Sequence, residues 1–131
     1  MLRALLCSIC VFLLTILTSG RLYASDYFSK ALRIYSEGRF FEASVEFERA
    51  IFYESDTRKI TQYKYYKSLC YKCMKDYARS LKELKSININ SIPDSLYTLI
   101  SYEKALCCFL NNDNNGALLN IIEIKSGSNK K

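Results

Sequence analysis

Four thiols stand out among the residues that could do chemistry. Cys70 and Cys73 form a CxxC, and Cys107 and Cys108 are adjacent. Four thiolates can hold zinc, but tetrahedral sites usually carry such pairs on knuckles or loops, and both pairs here fall mid-helix by apolar spacing. A redox pair draws reactivity from a helix N-terminus that lowers its thiol pKa, and neither pair has that place. An oxidising compartment would permit a bridge from Cys70 to Cys107, subject to a Cα separation that sequence does not supply. Buried free thiols, acting as small hydrophobes, are the favoured reading.

Catalysis has little else to use. The 131 residues include no histidine, so there is no imidazole base and no His-assisted nucleophile. Glu42, Glu46 and Glu83 read as exposed helix positions without a partner group, and no Gly-rich phosphate loop is present. The expectation is a protein that is not an enzyme and holds no cofactor or metal.

Charge is uneven along the chain. Residues 26–56 carry four basic and seven acidic groups, residues 57–85 nine and two, and residues 86–131 four of each. In the basic stretch Lys64, Lys67, Lys72 and Lys75 interleave with Tyr63, Tyr65, Tyr66 and Tyr71. Mixed cations and aromatics are one signature of a nucleic-acid surface, but lysines on a helix more often form a solvated face. Two readings fit better: a match to the acidic stretch before it, and attraction to an acidic protein partner or anionic lipid.

These residues must be positioned by helices. One proline and four glycines are too few for a turn-rich β fold. Apolar side chains recur at three- and four-residue steps from Tyr27 to Tyr35, and a second helix is predicted over about 40–53. Further helices are predicted over 58–75, 77–86 and 94–110, with a short sixth over 116–124. Gly38, Lys75-Asp76-Tyr77 and Asn111–Asn115 supply turns, and Pro93 marks a boundary. Ser55 or Asp56 is expected to cap the third helix, and Asp94 or Ser95 the fifth.

Ahead of the helices, Arg3 precedes an apolar run from Ala4 to Leu17, followed by the small residues Thr18, Ser19 and Gly20 and then by Ala24. A run of about 14 residues suits a secretory signal better than a membrane span, which needs roughly 20. Residues 1–24 are read as a signal peptide, with an uncleaved anchor through residues 4–20 as the alternative. Residues 25–125 form the folded domain and 126–131 a disordered tail, in a protein that is periplasmic, secreted or membrane-associated.

An internal repeat organises the domain. Ala43, Ser80 and Ala117 are 37 residues apart, as are Ala31, Ser68 and Ala105. The same step relates Leu32, Leu69 and Leu106, then Phe28, Tyr65 and Tyr102, then Phe47, Leu84 and Ile121. Matched size at many positions of one period is a repeat signal. With Gly38-Arg-Phe40 followed by Ala43, Phe47 and Ala50, the chain resembles the tetratricopeptide repeat family. The period departs from that family's, which is about 34 residues. The resemblance implies an all-α fold: a right-handed solenoid of about three stacked helix-turn-helix hairpins after the signal helix. It also implies a concave groove that takes a peptide or protein partner. By register the groove residues are Phe28, Tyr35, Tyr65, Lys72, Tyr102 and Phe109, with core packing as their alternative role. A membrane-tethered scaffold is the second functional expectation.

Overall fold

A computed structural model describes residues 23–89 and 92–128, and every extended element among them is an α-helix. The helices are α1 over 23–36, α2 Phe40–Tyr53, α3 Thr57–Cys73, α4 Tyr77–Lys85, α5 Asp94–Leu110 and α6 Asn114–Ser128. The signal or anchor reading of residues 1–24 falls almost wholly outside the described residues. Among the described residues no helix is long and apolar enough to cross a membrane.

The hairpin turns share one geometry. Gly38, Lys75 and Asn112, 37 residues apart, take φ of 77°, 61° and 61°. Each amide donates to a carbonyl three residues back: Gly38 to Tyr35 at 3.0 Å, Lys75 to Lys72 at 2.9 Å, Asn112 to Phe109 at 3.0 Å. The following amide in each turn reaches five residues back, from Arg39 to Ile34, Asp76 to Tyr71 and Asp113 to Cys108. This bond pair is the Schellman ending, which satisfies the last carbonyls of a helix through one left-handed residue. The next helix starts at once. Asp76 accepts from the Arg79 amide at 3.1 Å and Asp113 from the Gly116 amide at 2.9 Å, whereas Arg39 caps nothing with its side chain.

Between hairpins, Asp56 caps α3 by accepting from the Arg58 amide at 2.9 Å. No side chain caps α5: Pro93 stands at that position, and its carbonyl accepts from the Leu96 and Tyr97 amides. A proline there presets an extended entry, so the expected Asp94 or Ser95 cap is not used. The sixth helix starts at Asn114 and, at 15 residues, runs longer than its composition predicted.

Two apolar clusters form the core, each joining a hairpin to the following helix. Ala31, Ile34, Ala43 and Phe47 of α1 and α2 enclose Cys70 of α3. Leu84 of α4 and Ile87 just after it enclose Ile100 and Cys107 of α5. Small residues at the recurring positions, Ala31 and Ser68 on first helices and Ala43 and Ser80 on second helices, are all buried and allow close helix approach. From α2 onward each helix packs chiefly on its neighbours in sequence.

Candidate protein-interaction surface

The six expected groove residues occupy unlike surroundings. Phe28 lies in the packed interior: its ring stacks on Tyr63 with centroids 4.4 Å apart and meets Tyr66 and Phe47 at 5.8 Å. Tyr35 sets its ring edge-on to Phe40 and its hydroxyl 3.7 Å from the Cys73 Sγ. Burial, then the Cys73 contact, holds its phenol above the ordinary value. Tyr65 packs against the second cluster, and burial followed by the nearby Glu103 carboxylate pushes its phenol up to about 12.

Lys72 reaches from α3 to α5, where its ammonium lies 2.6 Å from a carboxylate oxygen of the buried Glu103. Tyr102 and Phe109 differ from the other four. They sit seven residues apart on one side of α5 and are 57% and 62% exposed. Phe28, Tyr35 and Tyr65 are thus half-buried in packing contacts, Lys72 is ion-paired, and two aromatics are open to solvent.

Within the lysine-rich stretch Lys67 is buried, Lys64 and Lys72 are partly covered, and the other basic residues are exposed. Lys67 is buried and donates to Glu83 at 2.8 Å and to Glu48 of the acidic stretch. Two carboxylates outweigh the burial penalty and hold the Lys67 ammonium above its ordinary pKa. Lys59 lies 3.7 Å from Glu54, a second contact between basic and acidic stretches.

Two of the three acids, Glu46 and Glu83, depart from the exposed placement expected of them, while Glu42 keeps it. Glu46 is buried, because Lys30 of α1 donates to it at 3.0 Å and Arg49 at 2.8 Å, which makes its burial tolerable. Its second oxygen has no hydrogen-bond partner. Glu83 is partly covered through Lys67, while Glu42 is exposed and held by Arg39. Beside Glu46, an open recess of about 270 Å³ separates α1 from α2, lined by Lys30, Arg33, Arg39 and Phe41 among others. Lys30 pairs with Glu46 and Arg39 with Glu42 within it, Arg33 pairs with Glu37 outside it, and no nucleophile with an adjacent base lines it.

The thiols do not form a set. Cys70 and Cys107 are buried in different clusters, Cys108 is buried beneath Asn120, and Cys73 is exposed. All four are free. Burial, then Cys73, pushes the Cys70 thiol up to about 12, and burial also raises Cys107 and Cys108. For Cys70, Cys107 and Cys108 this is the buried thiol environment favoured from the sequence, and the exposed Cys73 departs from it.

One feature escaped the sequence reading. Leu118, Leu119, Ile121 and Ile122 of α6 are 57%, 65%, 45% and 52% exposed. The repeat alignment held the signal, since it pairs Ile121 with Phe47 and Leu84, both fully buried. No family model, curated protein or solved structure matches the chain.

Proposed function

We propose that this is a non-enzymatic protein-interaction module, built as a tetratricopeptide-like solenoid of three stacked helix pairs and exported by the segment before α1. The stacking is supported by contacts between successive first helices: Tyr35 of α1 with Cys73 of α3, and Lys72 of α3 with Glu103 of α5. Identical turn geometry at a 37-residue step supports translation of one unit along the chain.

The observation that carries the functional reading is the exposure of Tyr102 and Phe109 on one side of α5. Exposed aromatics are the usual anchors of a protein or peptide partner, supplying large contact area at small entropic cost. The chain's net charge of +6 favours an acidic partner. Affinity purification from the exported fraction tests this. Wild type retains a partner that the Tyr102→Ala, Phe109→Ala double variant loses; identical recoveries from the two proteins overturn the reading.

The second reading, a membrane-tethered scaffold, rests on the Ala4–Leu17 apolar run. Mass spectrometry of the mature N-terminus separates the two, because an intact Met1 on membrane-bound protein favours the tether.

A further inference from the structure

We infer that the end of the domain where α1 begins and α2 finishes sits in the headgroup layer of a lipid bilayer, through Tyr23, Tyr27, Phe52 and Tyr53. This rests on the tethered reading, in which the segment before α1 is retained. The four rings form one cluster. Tyr53 stacks on Tyr27 with centroids 5.5 Å apart and planes 14° from parallel, lies 6.0 Å from Tyr23, and meets Phe52 edge-on at 5.1 Å. These are the spacings of favourable aromatic pairs, so the cluster is preformed. It is nevertheless open to its surroundings. Phe52, Tyr23 and Tyr53 are 80%, 56% and 42% exposed.

The chain ahead of the cluster says what covers it. Residues 4–20 carry no charge and, at 17 residues, reach the lower limit of a transmembrane helix, roughly 17–25. Tyr23 follows Gly20 by three residues, a reach of about 10 Å even when fully extended. The headgroup layer on one side of a bilayer is about 5–8 Å deep. With residues 4–20 in the hydrocarbon, Tyr23 therefore stays in or beside that layer, and the rings packed on it come along. A span at the short limit also draws its flanks toward the lipid, which acts in the same direction.

The side chains suit that layer. Three of the four are tyrosines, whose rings bury while their hydroxyls stay wet, the type enriched where a bilayer meets water. The charges at this end nearly cancel. Arg21 precedes the cluster and the exposed Arg58 stands in the first turn of α3, while Lys59 faces Glu54. Against them stand the exposed Asp26 of α1 and Asp56, whose carboxylate caps α3. Adhesion therefore comes from the rings rather than from net charge, and it needs no anionic lipid.

The chain contains no tryptophan, so one introduced indole reports from one place. Full-length Phe52→Trp is reconstituted into phosphatidylcholine vesicles, with and without lipid brominated on the upper acyl chain. Phe41→Trp is the comparison, because Phe41 is also exposed and lies on the same face of α2, about 16 Å away along the axis. Emission from Phe52→Trp is expected to shift to the blue and to be quenched by the brominated lipid, in low and high salt alike. Phe41→Trp should show neither effect. Tyr23→Trp, a second reporter within the cluster, should repeat the result for Phe52→Trp. Chain that floats with the vesicles while both cluster reporters stay unquenched overturns the inference and leaves the tether standing. Chain that does not float with them overturns both. A blue shift without quenching would mean that protein covers the rings, and equal quenching of Phe52→Trp and Phe41→Trp would mean that this end is not the one in the lipid. Either result overturns the inference too. Tyr102 and Phe109 are untouched by these variants, so failure here is separable from failure of the partner groove.

Discussion

Lys67 holds Glu83 across the second hairpin at 2.8 Å, and Lys30 holds Glu46 in the same relation across the first at 3.0 Å. Both members of the pair step by 37 residues. In the third hairpin the step leads from Lys104 to Asn120, and the carboxylate is gone. Burial there lowers the Lys104 ammonium, with Glu123 opposing the shift and Lys85 adding to it. The Lys–Glu pair at this register is therefore a property of the first two units.

Lys67→Met is expected to destabilise the fold by about 1–3 kcal/mol, since it strands the partly covered Glu83 while Glu48 keeps its water. A double-mutant cycle with Glu83→Gln should return a coupling of about 1 kcal/mol. Urea midpoints measure both, and a coupling near zero would show that the pair is idle.

Core register yields a graded series. Phe47→Ala is expected to cost about 3–5 kcal/mol and Leu84→Ala about 2–5, because both side chains are fully enclosed. Ile121→Ala, at the same place in the repeat, should cost under about 1 kcal/mol in the monomer at low protein concentration. Equal losses at all three positions would mean that α6 is covered.

The left-handed turn residues give a backbone test. A Cβ at Gly38 would meet nothing within 4 Å, so Gly38→Ala reports conformation alone and should cost about 1–2 kcal/mol. Lys75→Gly should stabilise by about 0.5–1 kcal/mol by relieving the same strain. Asn112→Gly should gain less, because asparagine tolerates positive φ. Thermal midpoints order the three.

Stability should depend on pH at both extremes. Burial raises the Glu54 carboxyl, but the amides of Asp56 and Ser55, then Lys59 and Tyr63, bring it below the ordinary value. A carboxyl depressed in the folded state adds stability that is full above its unfolded pKa and fades as pH falls through the folded one. Burial, then Glu54, pushes Tyr63 up to about 12. That contribution is full below the unfolded value near 10 and is lost as pH rises through the folded one. Urea midpoints should thus fall below about pH 4.5 and again above about pH 10, and Glu54→Gln should flatten the acid limb.

Thiol labelling should be selective. Cys73 is expected to react first in the native protein, while Cys70, Cys107 and Cys108 wait for unfolding. Cys73→Ser should remove the fast phase assigned to it, read as release of thionitrobenzoate. Rapid labelling of Cys70 would mean that the first cluster opens readily.

The sequence by itself determined what is local. Apolar spacing marked the helices, and Gly38, Lys75 and Asn111–Asn115 marked the turns, because helix periodicity and the left-handed residue act within a few positions. The 37-residue step was legible for the same reason, being the sum of such elements. Only the tertiary structure decided which charges go inside. Glu46 and Lys67 have the composition of a solvated face, yet each is buried because an opposite charge from another helix meets it there. It also decided that Phe28 packs inward while Tyr102, its counterpart by register, faces water. Burial is a relation between elements distant in sequence, and α6 stays apolar and open because no helix among the described residues follows to cover it.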